Sequence, residues 1–537
     1  MLGSPRPLVP RVLLALLLAV AVLLPFHDKA FTIDDTLFLR QAEHVLDDPL
    51  HPTAFEMVWS EIPQPTRMSA IMPSGPVMAY LLVPCVLAGG QEWVCHLVPF
   101  LLFALGIGAT ASLALRLGLT AAEAGTAALL LAATPAALAM AGTCMPDVPA
   151  MAFGALAIER LVAWRRDRRL QQALAAAVSL AIAVLARSHL LLLWGVGAIL
   201  LAGGFPLIRR WIGAPRRLWI PLAIAPVLVV TVLLATGDPE ASSVPLVGAA
   251  WKFSGFKSLV SNLIAFSAHW TFVIPFAIPW LGLHPVRMAK RPFVYAVALA
   301  AMIALFFRGE GYRLFLVGAA AGIGLGAVWD VLHDAWRRRD ATDLALGSWL
   351  LLAAPVVVYV QMPSKYLVAS APAAAILVAK ALGERSPGTR RLAASLIVAA
   401  GALLGGLVLK ADADFADLGR VACRELIAPN IAAGRRVWFA GHWGFQWYAE
   451  KAGAWPITVT PPRPLRGDLA VSSLQTFGEI IDTVPDRKRI KSVVGARTGG
   501  RIMSFNLGSG FYGNAWGYLP WAWGEEILDQ YDLWQLK

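Results

Sequence analysis

Long apolar stretches, separated by short polar or basic segments, run along most of this chain of 537 residues. A helix of about 20 apolar residues can cross the hydrocarbon core of a bilayer. The pattern predicts thirteen such helices, near residues 9–26, 94–115, 120–141, 147–164, 171–187, 188–204, 218–236, 267–283, 293–307, 313–332, 342–361, 364–382 and 391–410. A shorter apolar segment at 76–88 ends at two glycines, and its length predicts an interfacial or half-membrane helix.

Basic clusters between the apolar stretches predict the orientation, because Lys and Arg are enriched on the cytoplasmic side of membrane proteins. Two predicted spans separate each cluster from the next, so all five clusters fall on one side. They are Arg165/Arg166/Arg168/Arg169, Arg209/Arg210/Arg216/Arg217, Arg287/Lys290/Arg291, Arg337/Arg338/Arg339 and Arg385/Arg390/Arg391. If 76–88 does not cross, Arg6 and Arg11 join them, and the parity predicts a cytoplasmic N-terminus and an extracytoplasmic C-terminus.

Three polar segments fall on the opposite side of the membrane. Residues 27–75 form an acidic outer loop, and residues 237–266 form a second outer loop with amphipathic aromatic character. Residues 411–537 have mixed polarity and strand-like runs, and their length is sufficient for a separate core. The predicted fold is therefore a polytopic α-helical membrane protein at 1–410, followed by a small α/β extracytoplasmic C-terminal domain at 411–537.

Composition and charge narrow the class of protein. The chain is 58% hydrophobic and 15% charged, whereas a soluble globular protein carries about 25% charged residues. The net charge of +12 follows from the cytoplasmic clusters, and no basic stretch with interleaved aromatics indicates nucleic-acid binding. The four cysteines lack paired spacing, which argues against a metal cluster or a redox motif.

Three carboxylates near the predicted outer face are candidates for chemistry. Asp34 and Asp35 follow the first span and open an amphipathic segment, and Asp147 stands where the span 147–164 begins. Such a group could supply a general base or hold a divalent cation. The alternative is structural, since acidic residues are favoured in the first turn of a helix by its dipole. The residues alone leave both interpretations open.

Basic and aromatic residues on the same face form a complementary set. Lys and Arg are uncommon on the outer face of membrane proteins, so cations at this face suggest a specific anionic partner. A bound phosphate is one candidate for that partner. Lipid headgroups or salt bridges to the acidic loop are the alternative partners. The candidates lie in three short turns or span starts: Arg187 and His189, Arg308 and Arg313, and Lys365 and Tyr366.

Seven short motifs occur along the chain, and their order is informative about the protein family. They are Ile33-Asp34-Asp35-Thr36, the proline-containing run 72–81, Ala133-Thr134-Pro135, Met145-Pro146-Asp147-Val148-Pro149, the turn 185–190, the run 363–368 and the C-terminal run 444–451. In this order they resemble the GT-C superfamily of polyprenyl-phosphate-sugar-dependent glycosyltransferases. Within it, the resemblance is to the branch containing protein O-mannosyltransferases and the lipid A aminoarabinose transferase.

This resemblance implies an activity and a location. The protein would move a sugar from a polyprenyl-phosphate-linked donor to a lipid, glycan or protein acceptor, by direct displacement with inversion. The reaction would take place at the extracytoplasmic face of a bacterial inner (plasma) membrane. The sugar and the acceptor stay undefined. One alternative is a polytopic transporter or flippase, which would be expected to show internal repeats and ionisable residues within its spans. A second is a non-catalytic assembly or anchoring protein whose outer domain binds a partner, which would explain the C-terminal segment but not the acidic loop.

The resemblance also implies residue roles. Asp34 or Asp35 would act as general base, and Asp147 would orient the acceptor or share a divalent metal ion with them. Arg187, Arg313 and Lys365 would hold the phosphate. His189, Arg308 and Tyr366 complete the predicted substrate-binding set.

Overall fold

The computed structural model describes residues 8–537 with gaps at 60–61, 73–74, 207–212, 214, 242–255, 275–291, 308, 310, 312, 477 and 485. Arg308, the cluster Arg287/Lys290/Arg291, the pair Arg209/Arg210 and much of the predicted outer loop 237–266 therefore lie outside the described residues.

Helices occupy the apolar part of the chain. In sequence order they are α1 (Val9–Leu23), α2 (Asp35–Val45), α3 (Met68–Ile71), α4 (Val77–Leu87), α5 (Glu92–Arg116), α6 (Ala121–Ala132), α7 (Pro135–Ala141), α8 (Asp147–Asp167), α9 (Leu170–Ala186), α10 (Leu193–Ala202), α11 (Ile220–Thr236), α12 (Phe256–Phe272), α13 (Pro292–Phe306), α14 (Arg313–Arg338), α15 (Ala341–Leu350), α16 (Ala371–Gly383), α17 (Pro387–Ala422), α18 (Ala428–Ala432) and α19 (Gly444–Lys451). A 3-10 segment, Ser364–Ser370, precedes α16.

Among the described residues, seven helices are long and apolar enough to cross a membrane, or eight if the bent pair α6–α7 forms one span. Four shorter apolar helices accompany them. The chain is therefore a polytopic helical membrane protein, and the count of thirteen crossings stays a prediction. α4 has 11 residues and is about 16 Å long, well short of the roughly 30 Å hydrocarbon core.

One predicted boundary is wrong. The sequence predicts an outer loop up to residue 266, but α12 already begins at Phe256. A polar residue of this segment has its hydrogen-bond partners inside the protein. Asn262 is fully buried, and its amide nitrogen donates to the carbonyl oxygens of Val357 (3.0 Å) and Tyr359 (2.7 Å).

The bend between α6 and α7 determines how the long helix α17 packs. α6 ends at Ala132 and α7 restarts at Pro135, with an angle of 60° between them. Proline is favoured in a first helical turn, where its missing N–H costs no hydrogen bond. α17 lies against the bend through glycines: a Cβ atom on Gly401 would stand 2.2 Å from the carbonyl oxygen of Ala133.

The outer and C-terminal segments contain the strands. β1 (Glu56–Trp59) and β2 (Ile62–Arg67) form an antiparallel hairpin in the first outer segment. The others are β3 (Val437–Ala440), β4 (Trp455–Pro456), β5 (Leu469–Ser473), β6 (Arg487–Val494), β7 (Thr498–Arg501), β8 (Met503–Ser504), β9 (Ser509–Gly510), β10 (Ala522–Glu525) and β11 (Gln530–Leu536). A five-stranded sheet has the order β4-β3-β5-β11-β6. β3 is parallel to β4 and β5, and β11 is antiparallel to β5 and β6.

The C-terminal segment contacts the helical body directly. α17 runs without a break through the predicted domain boundary at 410/411 and ends at Ala422. The Ser364 amide donates to the carbonyl oxygen of Phe511 (3.0 Å), and the Met362 amide donates to the side chain of Asn514 (2.8 Å). These bonds attach the loop around residue 512 to the segment that carries Lys365. The division into two domains stays a prediction.

Candidate functional site

The turn between α1 and α2 orients the two adjacent aspartates differently. Ile33 has a positive φ of 45°, an uncommon conformation for a β-branched residue. Asp34 is the N-cap residue of α2, but its side chain makes no capping hydrogen bond. It is 26% exposed, whereas Asp35 is fully buried. Only the first of the two carboxylates is accessible.

Asp34 pairs with a lysine from a distant part of the chain. The Lys365 ammonium donates to Asp34 Oδ2 at 3.0 Å and lies 3.4 Å from the sulfur of Met145. Lys365 belongs to the 3-10 segment before α16 and is only 5% exposed. Its ammonium also stands 5.7 Å from the ring centre of Tyr512. The lysine is thus held from several sides, with its charge directed at Asp34.

A second ion pair joins Asp147 to Arg187. Asp147 is the first residue of α8, and Arg187 leaves the end of α9 in an extended conformation. The guanidinium donates from Nε to Asp147 Oδ1 (3.1 Å) and from Nη2 to Asp147 Oδ2 (2.7 Å). This bidentate geometry fixes the plane of the guanidinium. The Tyr366 ring lies 5.0 Å from Arg187 Cζ, and the His189 ring lies 5.6 Å from the Tyr366 ring.

The two ion pairs form one electrostatic group. Lys365 interacts with Asp34, Asp147 and Arg187, and Arg187 interacts with both aspartates. We call these four residues the ion-pair cluster. Asp147 and Lys365 are buried, whereas Asp34 and Arg187 are partly exposed at 26% and 14%. The accessible side of the cluster therefore presents one carboxylate and one guanidinium.

Asp35 connects two segments of backbone next to the ion-pair cluster. Its Oδ2 accepts from the amide of Thr32 (3.1 Å), and its Oδ1 accepts from the amide of Cys144 (2.8 Å). Burial raises the pKa of Asp35 to about 7, although the nearby charge of Lys29 acts in the opposite direction. These bonds hold the start of α2 against the turn that precedes Asp147.

Three buried residues behind the ion-pair cluster were not predicted from the sequence. The Lys29 ammonium forms an ion pair with Asp412 Oδ2, and the side chains are 0% and 2% exposed. The hydroxyl of Tyr512 donates to the same oxygen at 3.0 Å. An ionisable residue at the end of an apolar stretch is a signal that could have identified Asp412. Nothing in the sequence indicated its partners.

Of the other two predicted cations, only Arg313 is among the residues that the structure describes. Arg313 begins α14, and its Nη2 donates to the carbonyl oxygen of Asn506 in the C-terminal segment. Arg308 lies outside the described residues. The ion-pair cluster therefore contains two of the three expected phosphate ligands, Arg187 and Lys365.

The described residues contain no group of three or more His, Cys, Asp or Glu side chains that could hold a metal ion. The three predicted carboxylates are already engaged: Asp34 with Lys365, Asp147 with Arg187, and Asp35 with two backbone amides. Their bonding therefore gives no support to the divalent-ion alternative.

Comparison with solved structures identifies the fold. ArnT from Cupriavidus metallidurans in the apo state matches with a TM-score of 0.53 and 15% identity, covering 91% of this chain and 96% of that one. The same protein bound to undecaprenyl phosphate matches with a TM-score of 0.51 and 15% identity, covering 92% and 97%. The oligosaccharyltransferase AglB from Archaeoglobus fulgidus has a TM-score of 0.47 and 14% identity, covering 84% of this chain and 64% of that one.

No protein-family model and no curated protein sequence matches this chain. The two ArnT matches extend over nearly the whole of both chains. The resemblance noted from the sequence motifs is therefore confirmed at the level of the fold: the chain has the GT-C fold.

Proposed function

We propose that this protein is a membrane glycosyltransferase that transfers a sugar from a polyprenyl-phosphate-linked donor to an acceptor. The main support is the ion-pair cluster, in which an accessible carboxylate stands beside two held cations on a GT-C fold. The match to ArnT bound to undecaprenyl phosphate supports a polyprenyl phosphate as the donor's leaving group. We place the reaction at the extracytoplasmic face of a bacterial plasma membrane, with the N-terminus in the cytoplasm and the C-terminus outside.

The proposed reaction is a direct displacement at the anomeric carbon. An acceptor hydroxyl oxygen forms a bond to that carbon, and the bond from the carbon to the phosphate oxygen breaks. The acceptor proton passes to Asp34, and the electron pair of the broken bond leaves with the polyprenyl phosphate. A positioned base of this kind contributes about 10²–10⁴-fold to the rate.

Asp34 is better suited than Asp35 to act as the base. Asp34 is 26% exposed and its side chain makes no hydrogen bond to a backbone amide as a cap. Asp35 is fully buried and both of its oxygens accept backbone hydrogen bonds. A base must reach the proton that it removes, so we assign Asp35 a structural role.

Arg187 and Lys365 are the proposed phosphate ligands. A guanidinium has five N–H donors, and Arg187 directs two of them to Asp147, which leaves three for a ligand. Cations that are already held in place stabilise developing negative charge without reorganising during the reaction. We therefore propose that Asp147 positions Arg187 rather than the acceptor, and that Tyr366 and His189 pack beside the guanidinium.

The test compares Asp34→Asn with Asp414→Asn in the full-length protein reconstituted in membranes. Asp414 is an exposed carboxylate that pairs with Lys410 on α17, outside the ion-pair cluster. A panel of polyprenyl-phosphate sugars is supplied, and transfer to an envelope-lipid and glycan extract is read by mass spectrometry. We expect Asp34→Asn to lose about 10²–10⁴-fold in transfer rate and Asp414→Asn to match the wild type.

Wild-type rates in Asp34→Asn would overturn the assignment of the base. Movement of a lipid-linked sugar across the membrane without transfer, in both the wild type and Asp34→Asn, would favour the transporter alternative over the glycosyltransferase.

A further inference from the structure

A cavity of about 350 Å³ lies at the far end of the bundle from the ion-pair cluster. Its lining includes Arg165, Gly203, Arg338, Arg339 and Asp340, and we call it the basic pocket. α8 begins at Asp147 in the ion-pair cluster, and Arg165 follows 18 residues later on the same helix. This separation corresponds to about 27 Å along the helix axis, close to the roughly 30 Å thickness of the hydrocarbon core. The basic pocket therefore lies at the opposite end of α8 from the ion-pair cluster. Its lining also contains Arg338, the last residue of α14, which is long and apolar enough to cross a membrane.

The basic pocket has an excess of positive charge. Three arginines and one aspartate contribute to the lining. The aspartate, Asp340, caps α15: its Oδ1 accepts from the amides of Thr342 (2.9 Å) and Asp343 (3.0 Å). Its Oδ2 stands 3.8 Å from the Lys380 ammonium. Arg338 also pairs with Asp334 of α14, at 3.3 Å between Nη2 and Oδ2. The three arginines therefore exceed these two carboxylates by one positive charge, and Lys380 adds another beside Asp340.

Aromatic side chains place the basic pocket at the level of lipid headgroups. Phe205 and Trp336 meet edge to face at 5.6 Å between ring centres. Phe205 follows the lining residue Gly204, and Trp336 precedes the lining residue Arg338 by two positions. Trp336 is 63% exposed. Tryptophan is enriched where the bilayer meets water, and Leu200 adds an apolar wall to the cavity.

We infer that the basic pocket binds the phosphate of an anionic membrane lipid. Guanidinium groups match phosphate oxygens in bidentate geometry, and basic pockets between membrane helices attract anionic headgroups. A free organic phosphate would share this charge chemistry. The exposed tryptophan favours a lipid, whose acyl chains would lie along Trp336. This site is separate from the proposed glycosyl transfer and does not depend on it.

The experiment measures lipid retention by native mass spectrometry of the full-length protein. The protein is purified in detergent and equilibrated with phosphatidylglycerol or with phosphatidylcholine. The variant Arg338→Gln/Arg339→Gln removes two charges from the basic pocket. The matched control Arg390→Gln/Arg391→Gln removes two charges from the first two turns of α17, at positions that do not line the cavity.

We expect the wild type to retain phosphatidylglycerol in clear preference to phosphatidylcholine. The pocket variant should lose about tenfold in apparent affinity for phosphatidylglycerol, a change that corresponds to about 1.4 kcal/mol, and the control should stay within about twofold of the wild type. Thermal unfolding in the same detergent verifies that both variants are folded. Equal losses in both variants would overturn the proposal, because general surface charge would then explain the binding.

A competition experiment distinguishes binding of a membrane lipid from binding of a free organic phosphate. Glycerol 3-phosphate is added to the wild-type protein loaded with phosphatidylglycerol. We expect millimolar glycerol 3-phosphate to leave the lipid in place. Displacement of the lipid at that concentration would mean that the headgroup alone carries the affinity, and it would overturn the assignment to a membrane lipid.

Discussion

Two aspartates that are adjacent in the sequence have different surroundings. Asp34 faces an accessible space and pairs with Lys365, whereas Asp35 is enclosed and bonded to two backbone amides. Their positions in a single short motif predicted that either could act as the base. The structure separates them because the two side chains leave the helix N-terminus in different directions.

We predict that Asp35→Asn lowers stability through its buried hydrogen bonds. An asparagine oxygen can replace one acceptor, but its NH₂ group would face the amide of Thr32 or Cys144, both donors. A buried unsatisfied polar group costs about 1–3 kcal/mol. A thermal unfolding scan in detergent should show a Tm several degrees below that of the wild type and of Asp414→Asn. An unchanged Tm would contradict the structural role of Asp35.

The raised pKa of Asp35 leads us to predict that stability depends on pH. Burial raises the pKa of Asp35 from 3.8 to about 7, so the folded state binds this proton more tightly than the unfolded state. Its contribution to the free energy of unfolding is therefore complete below about pH 4 and decreases as the pH rises to about 7. Between pH 5 and pH 7, the wild type should lose more Tm than Asp35→Asn does. If Tm fell equally with pH in the two proteins, the raised pKa of Asp35 would be excluded.

We also predict that Arg187→Lys is a severe change although it keeps the charge. A lysine cannot form the two parallel bonds that Arg187 makes to Asp147. The kcat/KM for the donor should fall by about tenfold or more, nearly as far as in Arg187→Ala. A double-mutant cycle with Asp147→Asn should give a coupling of about 0.5–3 kcal/mol. Strictly additive effects would show that Asp147 does not position Arg187.

At the scale of helices, the lengths of the apolar runs and the polar segments between them predicted most helices. They did not predict how these helices pack. The apolar run 120–141 was predicted as one span, and the structure divides it into α6 and α7 with a 60° bend. Pro135 begins the second helix, and the packing of α17 shows what the bend accommodates. The start of α12 was missed because polar residues that point into the protein look the same in a sequence as loop residues.

The glycines of α17 provide a test of this packing. A Cβ on Gly401 would lie 2.2 Å from the carbonyl oxygen of Ala133, whereas a Cβ on Gly406 would meet nothing within 4 Å. Gly401→Ala should destabilise the protein by about 1–3 kcal/mol through overpacking. Gly406→Ala should keep or raise the Tm, because alanine favours a helix over glycine by about 1 kcal/mol. Equal Tm values for the two variants would contradict the close contact at the bend.

At the scale of the whole molecule, a buried charge network joins the two ends of the chain. Lys29 follows α1, Asp412 lies in α17, and Tyr512 belongs to the C-terminal segment. Tyr512 also faces the Lys365 ammonium. The C-terminal segment is therefore attached to the helical body directly behind the ion-pair cluster.

We predict that removing one partner of this network is far worse than replacing the pair. Asp412→Asn leaves the Lys29 charge buried without its counterion, which costs about 3–5 kcal/mol. Lys29→Met combined with Asp412→Leu should recover part of that loss, because it removes both charges but leaves the Tyr512 hydroxyl without its acceptor. Unfolding in detergent followed by circular dichroism measures all three proteins. A double variant that is no more stable than Asp412→Asn would show that the pair contributes more than mutual neutralisation.

The sequence by itself determined the membrane class, the positions of most apolar helices and the resemblance to GT-C proteins. These properties depend on residues close together in the chain, such as runs of about 20 apolar residues and short motifs in a given order. A short stretch of sequence is therefore enough to predict each of these properties.

Only the tertiary structure decided which side chains meet. Lys365 is 331 positions from Asp34, and Asp412 is 383 positions from Lys29. Contacts over such separations depend on how the helices pack, which no local pattern records. The same packing determined that Asp34 is accessible and Asp35 is not, because the amide of Cys144 occupies the space beside the second carboxylate.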